Sequence, residues 1–474
     1  MASVAQPQSS GKSPSSSGKS SSSGKSPSRK SPASSIKSPP SPGRFKALSL
    51  LDEAVIEQIC RDQGYQWNDG KLPPGKTVKY LGWQVLMGNV SLDAVAHHQH
   101  KQFTGAALCM ARDRLPIGVV EELSRRVCDQ ALATMGQRQR EQACYKGKRV
   151  FRIDGTGISL PDSDEVRQHF GCSGKQKPGC GYPTAHLLLL TGPGGVAREA
   201  ICSPLRTGDM THAVKTHCHL VPGDLLLGDG LFSGVCHLQQ LSSQKLDGLF
   251  PAHHSRKIAW GANAKHGNNR RFLKTLAWRD QLVEYRKPDR RPKWMSAKEF
   301  KDVPQWITVR EICREVKVGG VRREITVVTT LLDHKAYPAK ELVKLLGERW
   351  AIEVDIRSLK TTMGMERLKC KSVSCVKKEL LIYLIVYNLV RLLMFEAAGR
   401  QGVAVSRISF ADALACLRHG DGQVVDLQLN PLRPGRIEPR VVKRRPKHFA
   451  TMSKPRHTLR KLLLQKRKKA AGKS

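Results

Sequence analysis

The sequence predicts an α/β fold built on a mixed sheet, and three observations predict it. Residues 185–191, Ala-His-Leu-Leu-Leu-Leu-Thr, are a near-continuous apolar run of strand length, as expected of a strand covered on both faces. Residues 224–230, Asp-Leu-Leu-Leu-Gly-Asp-Gly, are a second such run, and an acid stands at its far end. Around these two runs strand-like and helix-like stretches alternate, an order that builds crossovers onto a sheet.

Residues 1–44 hold Ser, Lys, Pro and Gly and almost no large apolar side chain. Such a segment buries too little surface to offset its ordering entropy, so a disordered basic tail is expected. Its seven cations and no acid suit a phosphate backbone without sequence readout, or simply solubility. Residues 45–147 read as an all-α N-terminal domain. Ser49, Thr77 and Ser91 are candidate N-caps, and Pro116 suits a helix start. Ile117, Val120, Leu123, Val127 and Met135 then form a long apolar stripe. Such a helical bundle suits DNA binding and plain packing equally.

The period changes at Arg149. Residues 150–154 alternate and read as a strand ending in Asp154, with Gly-Thr-Gly after it. Residues 196–202 and 246–252 read as further strands, and 211–220 and 233–241 as helices. Three strands in succession point to a meander, and the later helices to crossovers. Asp154 and Asp229 both fall where strands end, the place where ligands gather in open sheets. Residues 148–255 are therefore the first part of the core. Residues 256–335 break the pattern: basic loops at 261–271 and 287–293 separate strand-like runs at 281–285, 306–312 and 324–332, a β-rich insertion. Residues 336–430 return to the core, with helices over 345–360, 377–399 and 410–418, the last capped by Ser409. Residues 431–474 are basic and proline-containing, a second disordered tail.

The charge balance narrows the partner. Lys and Arg number 80 against 40 acids, and removing the tails 1–44 and 433–474 still leaves +18 on the body. A polyanion is the first expectation. Thirteen scattered cysteines without a Cys-x-x-Cys pair fit a reducing compartment. The start of the chain has no apolar signal core. The longest apolar run, 380–390, is too short to span a bilayer and reads as a buried helix, so no membrane partner is expected.

On the helix predicted over 345–360, Arg349, Glu353 and Lys360 share one face at 3.6 residues per turn. Ile352, Ile356, Leu359 and Met363 form the apolar stripe beside it. The plainer reading is an exposed Arg349–Glu353 ion pair. The other is an acid that holds a metal while flanking cations hold phosphate. Asp154, Asp229 and Glu353 together are the oxygen donors that two Mg²⁺ ions need. Two such ions activate a water or a 3′-OH and stabilise the leaving oxygen of a phosphodiester.

These residues resemble the insertion-sequence-four group of DDE transposases, which have a ribonuclease-H-like core. Asp154-Gly155-Thr156 is similar to the group's first motif and Asp229-Gly230-Leu231-Phe232 to its second. Arg349-x3-Glu353-x6-Lys360 is similar to the third, although Leu346 stands where that motif has Tyr. In the second motif Leu231 takes the usual Gly position. The β insertion before the Glu, and Tyr387-Asn388-Leu389-Val390-Arg391 after it, also resemble the group. The resemblance covers about residues 145–400 and implies a fold: a ribonuclease-H-like mixed-sheet core with a β-rich insertion. It implies a DNA transposase that cleaves element ends by metal-assisted hydrolysis and joins them to target DNA by transesterification. Asp154, Asp229 and Glu353 are then the catalytic acids and ligands of two Mg²⁺ ions, replaceable by Mn²⁺, and Arg349 and Lys360 the DNA contacts. It also implies a homodimer on double-stranded DNA in the bacterial cytoplasm. A simple metal-dependent nuclease, or an inactive DNA-binding descendant of a transposase, remains the alternative.

Other groups are weighed beside these. His169, Cys172, Cys180 and His186 match no compact zinc spacing, and isolated core residues explain them better. His97, His98 and His100, and likewise His212, His217 and His219, read as helix-surface residues. Lys175, Lys177, Arg256 and Lys257 suit a DNA channel or a solvated basic face. Trp306 is expected on an insertion strand, stacked on an extruded base or, more simply, packed on the sheet.

Overall fold

A computed structural model describes residues 51–68, 70–172, 180–265, 267–318, 321–419, 426–432 and 454–471, which lie in one unit spanning 43–474. Among the described residues ten strands run β1 Cys144–Tyr145, β2 Lys148–Ser159, β3 Thr184–Thr191, β4 Ala197–Pro204, β5 Leu225–Leu227, β6 Asp247–Pro251, β7 Arg270–Ala277, β8 Asp280–Arg286, β9 Trp306–Val318 and β10 Val321–Thr329. Among the described residues six helices precede the core: α1 Glu53–Asp62, α2 Pro74–Leu86, α3 Leu92–His98, α4 Gly105–Arg114, α5 Ile117–Thr134 and α6 Gln137–Gln142. Within and after it come α7 Asp164–Phe170, α8 Asp209–Ala213, α9 Val235–Ser243, α10 Ala297–Asp302, α11 Ala339–Gly347, α12 Trp350–Arg357, α13 Val373–Arg400, α14 Phe410–His419 and α15 Arg456–Ala471.

The strand order is β4-β3-β2-β5-β6-β10-β9-β8-β7, with β1 paired to β2 at its side. The β2-β3-β4 meander is antiparallel, and β2, β5 and β6 are parallel, as crossovers through α9 require. The β-rich insertion continues the same sheet, because β10 pairs antiparallel with β6. The apolar run of β3 serves both faces. Leu187 and Leu189 pack toward α5 and α13, and Leu188 and Leu190 toward α8 and α9. Gly228, just past β5, lets the chain close on Phe232, whose ring would lie 2.5 Å from a Cβ there.

Helix α13 is long and apolar enough by composition to cross a membrane, but 83% of its most apolar window is buried in this core. Its Asn388 caps the free edge of β4 in the manner of a strand. Ala197 N donates to Asn388 Oδ1 at 2.9 Å, and Asn388 Nδ2 donates to Ala197 O at 2.8 Å.

Several local expectations need correction. Ser49 lies outside the described residues, and Asp52 caps α1 by accepting from Ala54 N at 2.9 Å. Thr77 is buried inside α2, where its hydroxyl turns back to the carbonyl of Leu72. Ser91 does cap α3. Strand β7 occupies part of what reads as a basic loop, because it is the outer edge of the sheet and most of its side chains are at least partly exposed. The disordered reading of 431–474 does not hold at Arg456–Ala471, which is helical.

Candidate active site

Two of the three acids are set side by side by strand register. In the parallel pair Val150 lies opposite Leu225 and Arg152 opposite Leu227. Asp154 stands two residues beyond the last residue of β2 in that pair and Asp229 two residues beyond that of β5, and the Asp229 charge acts on the Asp154 carboxyl. Local hydrogen bonds orient them. Asp154 Oδ1 accepts from Gly155 N, and Asp229 Oδ1 accepts from Leu231 N, both at 2.8 Å. The second bond caps the 3₁₀ turn Gly230–Ser233.

Glu353 approaches from α12, which packs on the same side of β2. The helix expected as continuous over 345–360 is broken. Glu348 and Arg349 turn tightly between α11 and α12 on bonds three residues long, such as Arg349 N to Leu346 O at 3.1 Å. After Arg357 the chain opens into a π turn, Ser358–Thr362. Propensity favours a helix throughout, but burial decides the breaks. Leu346 is buried against the sheet, and Lys360 bonds to β2, donating to Thr156 Oγ1 at 3.1 Å and Gly157 O at 2.7 Å. The stripe of Ile352, Leu359 and Met363 is buried as expected. Arg349 Nη2 lies 3.5 Å from Glu353 Oε1, so the ion pair of the plainer reading is present.

Asp229 and Glu353 both act on Asp154. Burial first pushes the Asp154 carboxyl above its usual range. Its bond from Gly155 and the charge of Arg349 pull it back, while Asp229 and Glu353 push it up again. Asp154 therefore stands where its own charge is crowded by two more, which a divalent cation would relieve. The donor set, three carboxylates and no sulfur or nitrogen, fits a hard ion. Among the described residues, however, no three His, Cys, Asp or Glu groups are gathered closely enough to hold a metal. Glu353 is turned to Arg349 instead.

Other candidates settle plainly. Cys172 Sγ accepts from Arg167, His186 pairs with Asp209 at 2.6 Å and His169 lies edge-on to Phe170, so no zinc set forms among the described residues. His97, His98 and His100 are exposed as expected. His212 and His217 are buried, which corrects the surface reading. His217 Nε2 meets His237 Nε2 at 3.1 Å beneath the Asp229 turn. Lys175 and Lys177 lie outside the described residues. Arg256 stacks 3.9 Å over Tyr285, and Lys257 is exposed. Trp306 is half-buried at the start of β9, with the Arg271 guanidinium 3.7 Å above its ring.

Three features escaped the sequence reading. Trp350, 63% exposed, stands beside Arg349 at the mouth of the site, and an aromatic on the polar face of that stretch was the available signal. A polar cavity of about 490 Å³ opens past the end of β6, lined by His253, His254, Arg256, Trp260 and Arg279. It lies next to Gly230, whose missing Cβ would sit 3.3 Å from His253 Cα. The third is Asp355, buried on the inner side of α12.

Residues 145–389 match the family described as transposase DDE domain. Over 219 residues the chain is 27% identical to transposase InsG for insertion sequence element IS4 of Escherichia coli (strain K12). That alignment covers 41% of this chain and 47% of that protein, so the chain matches about half the length of its curated relative. The cryo-EM structure of a piggyBac transposase synaptic complex with hairpin DNA is similar at a TM-score of 0.42, with 10% identity over 79% of each chain.

Proposed function

The chain belongs to the transposase DDE domain family, and from that premise we propose that it cleaves element ends in double-stranded DNA and joins them to target DNA. The observation that carries the reading is the register of β2 and β5, which sets Asp154 beside Asp229 while Glu353 reaches Asp154 electrostatically. The core is read as ribonuclease-H-like on the same grounds. Asp154, Asp229 and Glu353 would hold two Mg²⁺ ions, which supply an activated water or 3′-OH and stabilise the leaving oxygen. Mn²⁺ is expected to substitute, and a homodimer on paired ends is expected from the family.

The chain's own residues do the placing. Arg349 has a planar fork suited to a phosphate, but in this state it faces Glu353. One guanidinium serves the acid until a DNA phosphate competes for it, and the acid is then free. Lys360 fastens the π turn to β2 and lends its charge close to the strand of Asp154. Trp350 offers a flat apolar face where strands of DNA would pass.

The test uses the full chain, Mg²⁺ and linear DNA carrying both boundaries of the segment that encodes the protein. Nicks at those boundaries and joining of the freed 3′ ends to a plasmid are expected. Cutting without joining would leave a nuclease. Binding without cutting in either Mg²⁺ or Mn²⁺ would leave a DNA-binding remnant.

Arg349→Ala has an expected effect of two signs. Without DNA, Mn²⁺ binding should tighten by up to about fivefold, the reach of a half-exposed ion pair. Capture of end DNA should weaken by about tenfold or more, the loss of a charge-assisted phosphate contact. Titration of Mn²⁺ by paramagnetic resonance and of DNA by anisotropy reads both. A fall in both affinities would sink the idea that Arg349 holds Glu353 back.

A further inference from the structure

Glu353 stands on an eight-residue helix whose ends do little to hold it. Its first residue follows the tight turn at Glu348–Arg349 without a side-chain cap, and its last runs into the π turn. What fixes α12 is its inner side. Asp355, about 200° around the helix from Glu353, is buried. It faces α13, where the Tyr387 hydroxyl and the Arg391 guanidinium both act on it. These two residues also grip the turn between β3 and β4. Tyr387 donates to Gly195 O at 2.9 Å, and Arg391 donates to Gly194 O.

Gly195 makes the closure possible. Its φ is +76°, and a Cβ there would lie 2.7 Å from Arg391 Nη2 and 3.1 Å from Asp355 Oδ2. On the sheet side Arg152, two residues before Asp154 on β2, also acts on Asp355 while donating to Glu348 O at 3.1 Å. The buried carboxylate thus lies against the β3–β4 turn that α13 grips, within electrostatic reach of Arg391 on α13 and of Arg152 on the strand of Asp154. Its Oδ2 has no hydrogen-bond partner. A buried acid left partly unsatisfied is a poor device for stability but a good one for fixing a single arrangement.

We propose that Asp355 is a positioning residue for DNA cutting: with Arg391, Arg152 and Tyr387 it sets where the helix of Glu353 stands against the strand of Asp154. This rests on the role given above to Glu353. The full chain and its Asp355→Asn, Tyr387→Phe and Glu353→Gln variants are compared by single-turnover cutting in Mg²⁺, by DNA affinity without metal and by Mn²⁺ affinity. Asp355→Asn keeps the shape and removes the charge. Cutting and Mn²⁺ affinity should each fall roughly ten- to a hundredfold, the scale of losing a group that orients a ligand. DNA affinity should fall much less than cutting does, since Arg349 and Trp350 at the start of the same helix are two contacts among many to the duplex, whereas Glu353 must meet the other two acids in one geometry. If Asp355→Asn does not fold, Tyr387→Phe carries the test, with the same split at smaller size. Unchanged cutting and Mn²⁺ affinity, or a DNA affinity that falls as far as cutting does, overturns the proposal while Glu353→Gln is inert. Full cutting by Glu353→Gln overturns the reading beneath it as well.

Discussion

Asp229→Ala is expected to lose DNA cutting on the order of a thousandfold, the scale of removing one preorganised charged group from a reacting centre. The same substitution also removes the acceptor for Leu231 N, and losing such a cap costs about 1 kcal/mol. A small fall in thermal midpoint is therefore expected beside the loss of cutting. Asp229→Asn separates the two effects. Its amide oxygen still accepts from Leu231 N, so stability should stay near the parent's while cutting is lost as fully. Equal cutting by Asp229→Asn and the parent, at matched protein and Mg²⁺, would show that the charge of Asp229 is not used. The three-acid site would then have only two members.

Acidification from pH 7 to pH 4.5 is expected to destabilise the fold strongly, through the imidazole pair beneath the Asp229 turn. His237 Nδ1 donates to Phe232 O at 2.7 Å, so its Nε2 carries no proton and accepts from His217 Nε2. These tautomers follow from the hydrogen-bond network. His217 Nδ1 then faces the interior with no partner. Burial pushes His217 down to about 3 and His237 down to about 4. Both folded values lie below the unfolded value of about 6.5, so the folded state binds fewer protons. Their contribution is fully present above pH 6.5 and is lost as pH falls toward 4 and then 3. The slope approaches about 1.4 kcal/mol per pH unit for each ring. Urea midpoints at pH 7 and pH 4.5 measure it, and replacing both rings by leucine should remove most of the difference. A parent midpoint that does not move over that interval would mean the rings are not held neutral.

The core was legible where one physical cause acts alone. The leucines of β3 and β5 must be strands covered on both faces, and Asp229 stands two residues past the end of β5; Asp154, expected at a strand end, instead stands midway along β2, which stays paired with β3 as far as Ser159. Their nearness follows from register, which is visible once β2 and β5 are known to be parallel neighbours. The stretch around Glu353 was legible in chemistry and misread in shape. Most residues from 345 to 360 favour a helix and none is proline, yet Leu346 is drawn to the sheet, Asp355 to α13 and Lys360 to β2, and one straight helix cannot serve all three. His217 was misread for a related reason: its neighbours His212 and His219 suggested a polar face, but its contact is His237, twenty residues away. Strand β7 went unread, its first two residues falling in an expected basic loop, because an outer strand carries charge rather than an apolar run. Trp350 went unread because only the turn before it puts its ring in solvent.

The pairing of β10 with β6 means that the insertion is not an ornament that could be trimmed. Cutting away residues 256–335 would strip β6 of its neighbour and leave a row of unpaired amides and carbonyls one strand from Asp229. Such a bare margin recruits other chains, so a shortened protein should precipitate as it is made rather than persist as a smaller enzyme. By the same continuity, a load applied to the outermost strands, by a duplex held there for instance, is borne across an unbroken ladder to the acids.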